Sequence, residues 1–208
     1  MKIGIMGGTF DPIHNGHLIA AEYARTSLNL DKLIIIPSGV HPFKDNKSIS
    51  ESSKRIDMIS LAINSNKYFE ISSTEIDRMG TTYTIDTIME LREEFQEDEI
   101  YFIIGSDILF EIEKWKRFKE LAELCKFAML YRPGKEDDDL DRKINELKLS
   151  YEFQFKKIKS PLIEISSTEI RKRVKNKLSI KYLVPESVEG YILKHNLYSK
   201  ESIDGEIF

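Results

Sequence analysis

Lys2-Ile3-Gly4-Ile5-Met6-Gly7-Gly8-Thr9-Phe10-Asp11-Pro12-Ile13-His14-Asn15-Gly16-His17 opens the chain, and the reading of the fold starts there. Lys2 to Met6 has the apolar density of a buried strand, and Gly7-Gly8 stops it. From Leu18 onward Leu18, Ala21, Ala24 and Leu28 keep helical spacing. Leu33 to Ile36 is a second apolar run, closed by Pro37-Ser38-Gly39. Strand, helix and strand within about forty residues make a βαβ unit, which requires a parallel sheet.

The pattern continues outward. Ser52 or Ser53 caps a helix with the face Ile56, Ile59, Ala62 and Ile63, and Tyr68 to Ile71 reads as a strand. Thr84 caps a helix through Ile85, Ile88 and Phe95, and Tyr101 to Ile104 is a strand ending at Gly105-Ser106-Asp107. Lys119 to Leu124 is helical, and Phe127 to Tyr131 is a strand. Glu136 to Asp141 is a solvated acidic run leading into a helix near Ile144 and Leu147. Leu162 to Ile165 is expected as a short strand, with helices over Thr168 to Val174 and Val188 to His195. The expected fold is α/β, a parallel sheet with helices on both faces and a small helical C-terminal part over 165–198. Residues 1–198 are expected as one domain and 199–208 as a tail.

Composition narrows the function. A chain of 208 residues suits a single domain. It carries 31 lysines and arginines against 35 aspartates and glutamates, a net charge of −4, which argues against a general nucleic-acid binder. The single cysteine, Cys125, excludes an intrachain disulfide and a multi-cysteine zinc site. The longest apolar runs are strand-sized, so no membrane association is expected. Met1-Lys2 leads straight into the first strand, from which a cytoplasmic protein without a signal peptide is expected. The oligomeric state stays open.

The turn after the first strand is neither G-x-G-x-x-G nor G-x-x-x-x-G-K-[ST]. It still holds the ingredients of phosphate binding. Gly7 and Gly8 let backbone approach a ligand. Gly16-His17 falls where a helix offers free N–H groups and the positive end of its dipole. His14 and His17, three apart, point the same way on one turn. Two incidental histidines in a tight turn is the plainer account, but two of the chain's four histidines share this window at a strand's carboxyl end, where α/β sheets bind ligands. A metal there would want a third ligand, and no cysteine or third histidine is near.

A second phosphate signal lies at Ser166-Ser167-Thr168-Glu169, which has capping-box spacing. Arg171 falls in the first turn of the helix that follows, where a cation opposes the dipole at a cost of about 0.3–1 kcal/mol that a bound anion would offset. Lys172 and Lys175 read as a solvated face. The hexapeptide Ile-Ser-Ser-Thr-Glu-Ile occurs at 71–76 and again at 165–170. Only the second copy runs into basic residues, and only it is expected to hold an anion.

Gly8-Thr9-Phe10-Asp11-Pro12 with His14-x-Gly16-His17, and Ile165-Ser166-Ser167-Thr168-x-Ile170-Arg171, resemble the two motifs of the nucleotidyltransferase superfamily with the H-x-G-H signature. Pro37-Ser38-Gly39 with Pro42 and Lys44, Arg78-x-Gly80-x-Thr82-Tyr83-Thr84-x-Asp86-Thr87, Ile104-Gly105-x-Asp107, Trp115, Tyr182-Leu183-Val184-Pro185 and Tyr191-Ile192 resemble one branch, the bacterial nicotinate-nucleotide adenylyltransferases. The chain departs at Phe43, where the family has histidine with His41 two residues earlier, and at Asn176-Lys177, where the family tends to glycine.

The resemblance implies a Rossmann-like fold and transfer of adenylate from ATP to nicotinate mononucleotide, giving deamido-NAD and pyrophosphate. It implies catalytic roles for His14, His17, Arg171 and Lys44. ATP would lie against Gly7, Gly8, Thr9, Phe10 and Gly16 with both histidines. Ser166, Ser167, Thr168 and Arg171 would hold its outer phosphates, and Gly105 and Asp107 its adenosine. Nicotinate mononucleotide would meet Ser38, Gly39, Lys44, Tyr83, Thr84, Trp115 and Lys116. Trp115, set among Glu113-Lys114 and Lys116-Arg117, reads as an exposed indole that stacks on the pyridine. Mg²⁺ would ride on the phosphates with no named protein ligand. The rivals are a pantetheine-phosphate adenylyltransferase or glycerol-phosphate cytidylyltransferase, a class I aminoacyl-tRNA synthetase, and a non-catalytic nucleotide-binding regulator.

Overall fold

Ile3, Gly4 and Ile5 are all buried, the pattern of a central strand covered on both faces. A computed structural model describes residues 1–40, 49–78, 80–131, 137–151, 153–161 and 163–199, the side chains of Asp107 and Asp137 excepted. Strand β1 (Lys2–Gly8) feeds α1 (Asn15–Leu28), β2 (Lys32–Pro37), α2 (Ser52–Ile63), β3 (Phe69–Ile71), the single turn α3 (Thr74–Asp77) and α4 (Thr84–Glu94). The second half runs through β4 (Glu99–Gly105), 3-10 turns at Ser106–Phe110 and Ile112–Lys114, α5 (Phe118–Leu124), β5 (Lys126–Tyr131), α6 (Asp137–Ser150) and β6 (Phe155–Lys159). Helices α7 (Ser167–Lys175) and α8 (Glu186–Lys194) follow.

The six strands lie in the order β3-β2-β1-β4-β5-β6, every neighbour pair parallel. Alternation along β2 divides the core. Ile34 and Ile36 join Ile85, Ile88 and Phe127 on one face, and Leu33 and Ile35 join Ala21, Met58, Ile170 and Val188 on the other. Helices therefore cover both faces, as expected of a Rossmann-like fold. The order reverses at β1, between β2 and β4, so a crevice opens at the carboxyl ends of these strands. Among the described residues no helix is long and apolar enough to cross a membrane.

Several local expectations shift. Helix α1 begins at Asn15, three residues before its apolar stripe starts at Leu18, because His14 caps it. Neither Ser52 nor Thr84 is a cap: each is the first residue of its helix, after Glu51 and Tyr83. The sixth strand is Phe155–Lys159, not Leu162–Ile165. It is an edge strand with only Ile158 buried, and its lysines hide it from an apolar reading. Ile163 to Ile165 instead carries the chain out of the sheet toward the α7 cap, and Leu162 lies outside the described residues. At the end of α7, Lys177 takes the left-handed conformation (φ 56°) that a glycine would adopt freely. The Leu178 and Lys177 N–H groups donate to the Arg173 and Val174 carbonyls, closing the helix without the glycine.

Candidate active site

The turn after β1 is built by exclusion. A Cβ on Gly8 would lie 2.9 Å from Phe10 Cζ, so only glycine lets the Phe10 ring fold back. Phe10 pays with a left-handed backbone (φ 49°) and is 2% exposed. Its ring and that of His17 make a T-shaped contact, centroids 4.9 Å apart. A Cβ on Gly16 would come within 3.0 Å of His14 Nδ1. The glycine between the histidines is what lets the His14 ring sit against α1.

The two histidines cap one another. The His17 N–H donates to His14 Nδ1 and the His14 N–H donates to His17 Nδ1, each at 3.3 Å. The rings stack with centroids 3.6 Å apart. An Nδ1 that accepts carries no proton, so each neutral ring holds its proton on Nε2. Burial pushes His14 down to about 4. Burial, and then the charge His14 would carry, push His17 down to about 3. At neutral pH the pair is two uncharged imidazoles with Nε2–H donors at the carboxyl end of β1.

The second motif reaches the same turn. Ser166 caps α7 by accepting from the Glu169 N–H. Ser167 Oγ donates to the Pro12 carbonyl at 2.9 Å. Arg171 Nη1 donates to the Asp11 carbonyl at 2.7 Å, and Nη2 lies 3.4 Å from Thr168 Oγ1. Because α7 begins at Ser167 rather than Thr168, Arg171 stands at the middle of the helix and not in its first turn, and a carbonyl of the glycine-rich turn holds its guanidinium. The C-terminal segment also grips α1, through the Asn15 N–H on the Leu183 carbonyl and Asn15 Nδ2 on that of Tyr182. Two stretches some 150 residues apart in the chain meet around one end of the sheet. The first copy of the hexapeptide has spent its groups locally. Ser72 bonds Thr74, Ser73 bonds Asp77, and Glu75 accepts from Thr87.

The residues expected on the acceptor side gather at the neighbouring strand ends. The Ser38 N–H donates to the Gly8 carbonyl, and Ser38 Oγ is buried with no hydrogen-bond partner among the described residues. A Cβ on Gly39 would lie 2.1 Å from the Glu75 carbonyl oxygen, so Gly39 is needed for close packing. Val40 bridges Thr81, and the Thr82 N–H donates to the Val40 carbonyl. Thr87, 1% exposed, donates to Glu75 and accepts from Arg78, which also pairs with Glu90. That network holds Tyr83 and Thr84 at the start of α4. Lys116 Nζ stands 4.1 Å over the Tyr83 ring and 3.3 Å from Asp86. Trp115 is partly buried rather than fully exposed, with one edge on Phe102 at 5.8 Å. Charged neighbours in sequence hid this, since the indole turns inward while they turn out.

Gly105 ends β4, and Asp107 belongs to the 3-10 turn after it, its side chain outside the described part. Lys44, His41 and Phe43 lie outside the described residues. Among the described residues no group of three or more histidine, cysteine, aspartate and glutamate side chains could hold a metal ion. Sequence reasoning missed Arg55 and Tyr198 and gave no role to Asp11, which it named only as part of a motif. Asp11 and Arg55 are 2% and 3% exposed, and a buried charge is the signal that would have marked them. Arg55 donates to the carbonyls of Thr9 and Ser50 and to Ser52 Oγ. Asp11 accepts from the Ser50 N–H and the Tyr198 hydroxyl.

A histidine pair caps α1 at the switch point and a C-terminal helix brings an arginine to the same turn, the arrangement that the resemblance to nucleotidyltransferases implies. Residues 5–173 match the family described as cytidylyltransferase-like. A relative from Thermoanaerobacter sp. named "probable nicotinate-nucleotide adenylyltransferase" is 45% identical over 206 residues, 99% of this chain and 98% of that one. A relative of the same name from Moorella thermoacetica is 45% identical, over 98% and 94% of the two chains. The chain belongs to the nicotinate-nucleotide adenylyltransferase family. In fold it is similar to Plasmodium falciparum nicotinic acid mononucleotide adenylyltransferase, solved with APC, at a TM-score of 0.76 and 24% identity, covering 95% and 96% of the chains.

Proposed function

We propose that this enzyme transfers the adenylyl group of ATP to the phosphate of nicotinate mononucleotide, giving deamido-NAD and pyrophosphate in NAD biosynthesis. The observation that carries the reading is the junction of Arg171 and Ser167 with the Asp11 and Pro12 carbonyls, beside the stacked imidazoles.

The nucleophile is a phosphate oxygen of the mononucleotide, already ionised at neutral pH. It forms a bond to the α-phosphorus of ATP as the bond from that phosphorus to the β-phosphate bridging oxygen breaks, and pyrophosphate leaves with the electron pair. No proton moves, so the neutral histidines need not act as bases. What the chain supplies is positioning and neutralisation of crowded negative charge. His14 and His17 would offer Nε2–H donors at the α-phosphate. The Gly16 N–H at the start of α1 and the Ser167 and Thr168 N–H groups at the start of α7 would face phosphate oxygens. Arg171, Ser167 and Thr168 would hold the departing pyrophosphate, and Lys44 would add a second cation. ATP arrives as its magnesium complex, the ion carried by the substrate.

The acceptor would sit across Ser38 and Gly39, its ring against Trp115 and its carboxylate near Tyr83, Thr84 and Lys116. Gly105 and Asp107 would meet the adenosine. A site that pairs a carboxylate rejects the uncharged amide, which leaves its donors unmatched. A reaction that consumes ATP fits a cytoplasmic setting. The test is pyrophosphate release with ATP, Mg²⁺ and a panel of acceptors. Turnover with nicotinate mononucleotide well above that with nicotinamide mononucleotide, phosphopantetheine or glycerol phosphate is expected. Turnover with phosphopantetheine alone would overturn the assignment.

A further inference from the structure

Asp11 is the point where four parts of the chain are tied. Its carbonyl takes Arg171 from α7 at 2.7 Å. One carboxylate oxygen takes the Ser50 N–H just before α2, at 3.2 Å. The other takes the hydroxyl of Tyr198, 187 residues away, at 2.6 Å. Immediately before Asp11 stands Phe10 in its left-handed conformation, with its ring in T-shaped contact with His17. A bulky residue persists there only when its surroundings over-determine it. The bonds on Asp11, with Arg55 on the Thr9 carbonyl and Ser167 on the Pro12 carbonyl, do this.

Tyr198 lies past α8 and outside both phosphate motifs. It packs partly buried on the core beside α8, itself at φ 63°. Its phenol is held protonated far above its ordinary range, by burial first and then by the Asp11 carboxylate. It is therefore a fixed donor at any working pH.

We propose that Tyr198 is a positioning residue for adenylyl transfer: its hydroxyl, on the Asp11 carboxylate, holds the Thr9–Pro12 turn so that His17 and Arg171 face one triphosphate together. This rests on the adenylyl-transfer reading. The tyrosine touches no substrate and acts through Asp11. It makes the segment after α8 part of the phosphate cradle, so that the catalytic turn is finished only when that segment has docked.

The test compares Tyr198→Phe, which keeps the ring, with Tyr198→Ala and the parent enzyme. Loss of a hydrogen bond to a charged group should lower kcat of Tyr198→Phe about tenfold and speed amide exchange over residues 9–14 of the ligand-free protein by about the same factor. The KM for nicotinate mononucleotide should stay within about twofold, since the Trp115 side is untouched, and Tm within about 4 °C. Tyr198→Ala should add a larger fall in Tm. A residue that merely pins the C-terminus would lower Tm of Tyr198→Phe and leave kcat per folded molecule unchanged. That outcome, or unchanged exchange over 9–14, overturns the proposal. If the parent enzyme itself releases no pyrophosphate, the adenylyl-transfer reading fails on its own, and the exchange comparison still decides whether Tyr198 holds the turn.

Discussion

Acidification should cost folding stability through the histidine pair well before the carboxylates respond. In the folded chain His14 titrates near 4 and His17 near 3, against 6.5 for each when unfolded. The folded values lie below the unfolded ones, so between them the unfolded chain binds more protons, and folding loses stability as pH drops below 6.5. Above 6.5 both states are neutral and nothing is lost. By pH 5 each ring costs about 2 kcal/mol, about 4 kcal/mol together, which for a chain of this length is a fall in Tm of roughly 8–16 °C from pH 7. Glu22, Glu99 and Glu113, held low by Arg25, Lys126 and Lys143, weaken only below their ordinary value of 4.5, so the window from pH 7 to 5 isolates the imidazoles. The control is the double variant His14→Asn, His17→Gln. Asparagine is a good N-cap and glutamine suits the third helical position of a capping box, so the α1 start survives without titrating. Its Tm should change by less than about 4 °C between pH 7 and 5. Thermal melts across that range, with NMR titration of the imidazole carbon-bound protons, make the measurement. Parallel curves for parent and variant, or four histidine resonances all titrating near 6.5, would refute the buried neutral pair.

Arg171→Lys keeps the charge but loses the fork that spans Asp11 and Thr168, and should lower kcat/KM for ATP roughly 100-fold in a pyrophosphate-release assay. Gly39→Ala drives a methyl group onto the Glu75 carbonyl and should destabilise by about 1–3 kcal/mol in urea titrations. The same variant should raise the KM for the mononucleotide more than that for ATP. Trp115→Ala should raise the mononucleotide KM about tenfold while ATP binding, followed by calorimetry, stays within twofold. An unchanged acceptor KM removes the indole from the site.

How far each of these residues was legible depends on how local its environment is. The β1–α1–β2 unit is legible because its signals, an apolar run, a glycine pair and helical spacing, act between near neighbours. His14 and His17 are legible for the same reason, since three residues along one turn bring two rings together whatever lies around them. Arg171 reads from sequence as a cation in a first helical turn, but it stands at the middle of α7, and its place beside the glycine-rich turn comes from the packing of that helix. The edge strand Phe155–Lys159 is not legible, because a strand with one buried residue leaves almost no periodic trace. Trp115 is read too far outward, because its neighbours in sequence are charged and its neighbour in space is Phe102.

The sequence by itself determines the parallel α/β layering, the family and the two motifs expected to meet phosphate, because apolar period and backbone-permissive glycines depend on neighbours a few residues away. Only the tertiary structure decides that Arg171 rests on the Asp11 carbonyl, that Arg55 holds Thr9, and that Tyr198 closes on Asp11. A buried polar group must find a partner wherever the fold has brought one, and which strand and helix ends become adjacent is set by the whole packed core.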